Sequence, residues 1–111
     1  MKTDLLSKKC VPHEEMKILD ADKVDEYMQE LNDRWEALEN PPIMIRAKYK
    51  FADFVEAMEF VNNVADIAEK GGHHPDITIH YNKVEIVLWS HFVNGLSIND
   101  FIIASKIDNI S

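Results

Sequence analysis

The sequence predicts an α+β domain in which helices pack on one face of an antiparallel sheet. Three observations carry this expectation. Two stretches, 22–38 and 53–70, repeat apolar residues at three- and four-residue steps, as a helix with one buried face does. Residues 43–51 alternate apolar and polar, the period of a half-buried strand. Two further runs, 77–81 and 84–92, flank Asn82-Lys83, a two-residue spacing that joins strands as a hairpin.

Taken in order, residues 1–20 show no periodicity and read as an irregular, loosely attached arm, while 21–111 read as a single domain. Asp22 is the expected N-cap of the first helix, whose apolar face carries Val24, Tyr27, Met28, Leu31, Trp35 and Leu38. Asn40-Pro41-Pro42 stops it, because the residue before a proline is driven out of helical geometry. In the strand that follows, Ile43, Ile45, Ala47, Tyr49 and Phe51 share the core face. Met44, Arg46, Lys48 and Lys50 take the other side, a basic row more simply read as solvated than as the seat of an anion.

The second helix is expected to start at an Asp53 cap, with Phe54, Ala57, Met58, Val61, Ala65 and Ala68 as its stripe. Gly71-Gly72 supplies the left-handed turn that ends helices. With Asn82-Lys83 as the turn, Tyr81 pairs with Val84, Ile79 with Ile86 and Ile77 with Leu88. The same count sets His91 opposite His74. Ser97-Ile98-Asn99-Asp100 has capping-box spacing, with Asp in the place usual for Glu, and opens a last helix carrying Phe101, Ile102 and Ile107.

A chain of 111 residues is long enough for one core and short enough to gain from self-association. With 46% hydrophobic and 29% charged residues it should fold rather than remain disordered. The net charge of -8 repels phosphate backbones, so nucleic acid is not an expected partner. Cys10 is the only cysteine, which excludes an internal disulfide and suits a reducing, cytoplasmic location. No apolar run approaches the roughly 20 residues that span a bilayer, and the first residues lack the apolar core of a secretory signal, so no membrane association is expected.

His73, His74 and His91 fall close together in sequence, beside a helix end and a hairpin. Imidazoles exchange protons near neutral pH, so the cluster points to acid–base chemistry or ligand binding, against an equally weighted structural role. Glu69, His73, His74 and His91 could supply metal ligands. Adjacent histidines seldom reach one ion together, however, and no His-x3-His pair accompanies them, so no metal is expected. Cys10-Val11-Pro12-His13 lacks the second pair that a structural zinc site needs. His13 has no partner in sequence, and His80 reads as an exposed strand residue. Cys10 and the serines sit in no nucleophile motif, and three glycines form no phosphate-cradling loop.

The ordered set Glu69-x3-His73-His74-Pro75, Tyr81-Asn82-Lys83-Val84, His91, Gly95-Leu96-Ser97 and Asp100 resembles the pterin-4a-carbinolamine dehydratase family. The likeness extends to Trp35, to Tyr49-Lys50-Phe51 and to the helix ending at Glu69. Lys8-Lys9-Cys10-Val11-Pro12 resembles the arm of bacterial and plant members. The resemblance implies a four-stranded antiparallel sheet with three helices packed on one face. The strand missing from the residue-level reading would lie near 41–44 or in the arm. It also implies a homodimer or homotetramer and dehydration of 4a-hydroxytetrahydrobiopterin to quinonoid dihydropterin, without a cofactor. That reaction recycles the pterin oxidised by aromatic amino acid hydroxylases.

By carry-over the catalytic set is His73, His74 and His91, with His73 and His91 exchanging protons and His74 orienting the pterin. Glu69, Pro75, Asp76, Ile77 and Asp100 are the supporting and substrate-binding set. Ile77 stands where many animal members have Trp, and Gly72 where some have a polar or acidic residue. Two other functions fit the same resemblance: a non-catalytic protein-binding module, like the dimerisation-cofactor role of animal members, or a binder of another pterin.

Overall fold

The computed structural model describes residues 4–111. Helix α1 (Ala21–Met28) is followed by strands β1 (Glu36–Leu38) and β2 (Met44–Lys50), then helix α2 (Phe54–Gly71). The hairpin β3 (Asp76–His80) and β4 (Lys83–Leu88) and helix α3 (Ile98–Ile110) complete the domain. The four strands form one antiparallel sheet in the order β1-β2-β4-β3, so the expected α+β architecture holds. Alternation decides which face is covered. Ile45, Ala47 and Tyr49 of β2 and Val84, Ile86 and Leu88 of β4 join one core with Phe60 and Val64 of α2 and Phe101, Ile103 and Ile107 of α3. Tyr27 of α1 enters it against Phe101, with ring centroids 5.4 Å apart. Lys48, Lys50, Thr78 and His80 remain exposed on the opposite face.

The first helix is shorter than its apolar spacing predicts. It is capped by Asp20, whose carboxylate accepts from the Lys23 amide at 2.9 Å, and Asp22 lies in its first turn. The chain leaves the helix after Met28, and the spacing beyond is met by tertiary contacts. Asp108 of α3 accepts from the Trp35 indole at 2.8 Å and from the Asn32 amide at 2.8 Å. These two bonds hold Trp35 in the core outside any helix. Residues Glu36–Leu38 then pair with Arg46, Ile45 and Met44, so the fourth strand lies here rather than near 41–44 or in the arm. On α2 the buried face is Ala57, Phe60, Val64 and Ala68, which leaves Phe54 and Ala65 exposed.

The hairpin turn is Tyr81-Asn82, one residue earlier than expected, with Ile79 opposite Val84 and Ile77 opposite Ile86. Partners move by two positions, so every side chain keeps its expected face. Asn82 fixes this register from its side chain, donating to the Phe51 carbonyl at 2.9 Å, while the Phe51 amide donates to the Asn82 carbonyl at 2.8 Å. β4 ends at Leu88, so His91 does not ladder against His74. His91 sits instead in a turn closed by the bridge between Ser90 and Gly95.

Residues 1–3 of the arm lie outside the described residues; from 4 to 20 it is irregular apart from 3-10 turns at Leu5–Ser7 and His13–Glu15, but it is not loose. Asn99 of α3, almost fully buried, exchanges two hydrogen bonds with the Val11 backbone at 2.8 and 2.9 Å. Leu5 is buried, and the Leu19 amide donates to the Leu96 carbonyl at 2.8 Å. Among the described residues no helix is long and apolar enough to cross a membrane.

Candidate active site

The site starts at the end of α2. Gly72 adopts φ 64°, the left-handed conformation that glycine enters without steric penalty, and so reverses the chain. The reversal sends the two following histidines to different environments. His73 is 6% exposed, and its Nε2 lies 2.6 Å from Asp100 Oδ1. His74 is exposed, with Nε2 at 2.5 Å from Glu69 Oε2 on the last turn of α2.

Asp100 is fully buried at the start of α3 and its carboxylate accepts from three donors. Besides His73 these are Ser90 Oγ at 2.8 Å and the Ser97 amide at 2.9 Å. The last bond closes the capping box that the sequence signalled. Donors thus converge on both oxygens of this carboxylate at the N-terminus of α3. An ionised carboxylate only accepts, so His73 Nε2 carries a hydrogen. Among the described residues His73 Nδ1 has no hydrogen-bond partner, and the His73 side chain lines the adjoining cavity.

That cavity has a volume of about 340 Å³ and is lined by residues from the arm, the α2 end and the 89–92 segment. His73, His74 and His91 meet there, joined by His13, Trp89 and Phe92. The His91 ring lies against Trp89, centroids 3.8 Å apart, and the His13 ring stacks on Phe92 at 6.1 Å. Flat aromatic surfaces beside proton-exchanging nitrogens suit a flat heteroaromatic ligand, and the volume suits a small one. A larger cavity of about 470 Å³, between the arm and α3, contains no imidazole and offers no such chemistry.

Of the residues singled out from sequence, His73, His74, His91, Glu69 and Asp100 thus form one constellation. Pro75, Asp76 and Ile77 do not line the cavity; Asp76 and Ile77 open β3, where Ile77 pairs with Ile86 and packs on the core. His13, Trp89, Phe92 and Ser90 were missed. His13 reaches the cavity on an arm that Asn99 holds at the Val11 backbone, a contact across 88 residues that no local pattern encodes. Among the described residues, no three His, Cys, Asp or Glu side chains are grouped to hold a metal ion.

A family model described as "Pterin 4 alpha carbinolamine dehydratase" matches residues 17–110. A Rickettsia canadensis protein named "Putative pterin-4-alpha-carbinolamine dehydratase" is 39% identical over 108 residues, 96% of this chain and 97% of its own length. A Legionella pneumophila protein of the same name is 40% identical over 111 residues, 99% of this chain and 97% of its own. The crystal structure of a Brucella melitensis "transcriptional coactivator/pterin dehydratase" superposes with a TM-score of 0.79 at 32% identity, covering 85% of this chain and 98% of that one. A pterin dehydratase-like protein identified as a RuBisCO assembly factor shares the fold at 21% identity, with a TM-score of 0.61 over 71% of this chain and 90% of that one. The match to the family model spans every element from α1 to α3 and contains Glu69, His73, His74, His91 and Asp100, so this chain belongs to the pterin 4 alpha carbinolamine dehydratase family.

Proposed function

We propose that this protein dehydrates a 4a-hydroxytetrahydropterin to the quinonoid dihydropterin by histidine acid–base catalysis. The observation that carries the reading is the buried His73–Asp100 pair in the wall of an imidazole-lined cavity. Dehydration breaks the C4a–O bond, with one proton delivered to the departing hydroxyl and one removed from N5. Water leaves and no electrons are exchanged with the protein. Asp100 holds the hydrogen of His73 on Nε2, so Nδ1 presents a lone pair to the cavity and takes the N5 proton. His91, exposed and braced by Trp89, delivers the proton to the leaving hydroxyl. His74, held by Glu69, orients the ring system.

The Brucella neighbour is described both as a coactivator and as a dehydratase. A buried carboxylate fixing an imidazole at a cavity wall serves proton transfer and has no use in a docking surface, which favours catalysis. The pterin produced re-enters reactions that oxidise reduced pterins, such as aromatic amino acid hydroxylation. The lone Cys10 suits a cytoplasmic setting, and the family resemblance implies a homodimer or homotetramer.

Stopped-flow absorbance of 4a-hydroxytetrahydropterin breakdown tests the reading. Wild type should accelerate it, and His73→Ala and His91→Ala should each lose about 10²–10⁴-fold while remaining folded. His74→Ala should act mainly on KM. A folded wild type that gives only the uncatalysed rate would exclude the enzyme.

A further inference from the structure

The open face of the sheet carries a second cluster, remote in character from the histidine cavity. Strand register puts Lys50 opposite Lys83, and Lys83 opposite His80, so two lysines and an imidazole form one row across β2, β4 and β3. Lys48 lies on the same face two residues from Lys50, opposite Glu85. All four basic side chains are exposed, and Lys48, Lys50, His80 and Lys83 line a shallow depression of about 340 Å³ together with Glu85.

Like charges directly opposite one another weaken a sheet. The rest of this face avoids the problem, since Arg46 is paired with Glu36 across β1 and β2 and Lys48 faces Glu85. The Lys50–Lys83–His80 row has no such relief. Among the described residues no ion pair is formed by Lys48, Lys50, His80 or Lys83, although the chain carries 20 acidic residues. Lysines facing each other without an ion pair in a protein of net charge -8 are explained if their counter-charge comes from a ligand.

We propose that this face binds a small molecule bearing two or three linked phosphates. The row spans two interstrand spacings, roughly 10 Å, and Lys48 extends it by about 7 Å along β2. A single phosphate would reach one or two of these groups, whereas a linked pair or triplet meets the whole row. Lysine supplies mobile point charges suited to several phosphate oxygens, and His80 adds a ring donor. A nucleic acid would extend past this short row onto a surface that is acidic overall.

Amide-resolved NMR titration of the full chain at low ionic strength tests this, with orthophosphate, pyrophosphate and tripolyphosphate as probes. Shifts should concentrate at 48–50 and 80–85, and affinity should rise in that order of probes. The Lys50→Gln/Lys83→Gln double variant should bind tripolyphosphate about tenfold more weakly. Glu85→Gln should bind it more tightly, while dehydration by each variant matches wild type. Scattered shifts, an unchanged affinity in the double variant, or tighter binding of a single-stranded oligonucleotide than of tripolyphosphate at this face would overturn the proposal.

Discussion

Replacing Asp100 by Asn changes one atom of a fully buried side chain, and the structure dictates how the amide must settle. Oδ2 accepts from the Ser97 amide and from Ser90 Oγ, and a backbone N–H cannot reverse its role. The amide oxygen therefore stays at Oδ2, and the NH₂ group takes the Oδ1 position, 2.6 Å from His73 Nε2. Two donors cannot face each other there, so His73 must move its hydrogen to Nδ1. The cavity then meets a donor where it had an acceptor. On the proposed mechanism the base is lost, and kcat should fall about 10²–10⁴-fold, roughly 3–5 kcal/mol of transition-state stabilisation. Exchanging a charged acceptor for a neutral one should also lower stability by about 1–3 kcal/mol. Stopped-flow dehydration gives the first quantity and urea unfolding the second, while ¹⁵N-histidine NMR reads the tautomer. A reversed tautomer with an undiminished rate would refute the role of Nδ1. An unreversed tautomer would refute the geometric argument itself.

Asp100→Glu keeps the charge and supplies the usual capping-box residue, but adds a methylene in a fully enclosed position. The helix cap should survive in circular dichroism while the rate falls about as far as in Asp100→Asn, and a wild-type rate would show that carboxylate placement is loose. Gly72→Ala should destabilise by about 1 kcal/mol through backbone strain alone, since a Cβ there meets nothing within 4 Å. Gly72→Asn should lose less in the same urea titration, because Asn tolerates the left-handed region. Burial raises the Cys10 thiol to about 11, with Lys106 opposing the rise and Asp100 adding to it. Alkylation by iodoacetamide should therefore be slow at neutral pH and climb until about pH 11. The sign follows from linkage: a raised thiol favours the folded state's protonated form, and that contribution disappears as pH rises from 9.0 to about 11.

The sheet faces, the α2 termini and the α3 cap were legible in the sequence because each rests on local rules. Asp53 accepts from the Glu56 amide at 2.9 Å, Gly72 turns left-handed, and Ser97 and Asp100 close their box as the spacing implied. The errors came where distant residues decided the outcome. Leu31, Trp35 and Leu38 continue a helical spacing, yet Asp108 and the edge of β2 draw them out of it. The hairpin register was missed because the Phe51–Asn82 exchange selects the turn, and an Asn-Lys pair has no glycine to announce it. The histidines drew attention by their clustering, whereas Asp100 as a site residue and the supporting role of Glu69 were named only by the family resemblance. That Asp100 takes His73 and Glu69 takes His74 could not be read from either, because it depends on which way the chain leaves Gly72.

Asp100 also explains why the site lies where two helices and a turn meet. A capping carboxylate at the start of α3 needs only one oxygen for the Ser97 amide, which leaves the other to face outward from the helix end. Ser90 then ties the same carboxylate to the turn that carries His91, and Gly72 delivers His73 to its free oxygen. One buried group thereby sets the positions of two histidines that come from different elements. Glu would add a methylene in this fully enclosed position, where Asp already meets both the helix cap and His73. The departure from the usual capping residue thus accompanies a contact with His73 as well as a closed capping box.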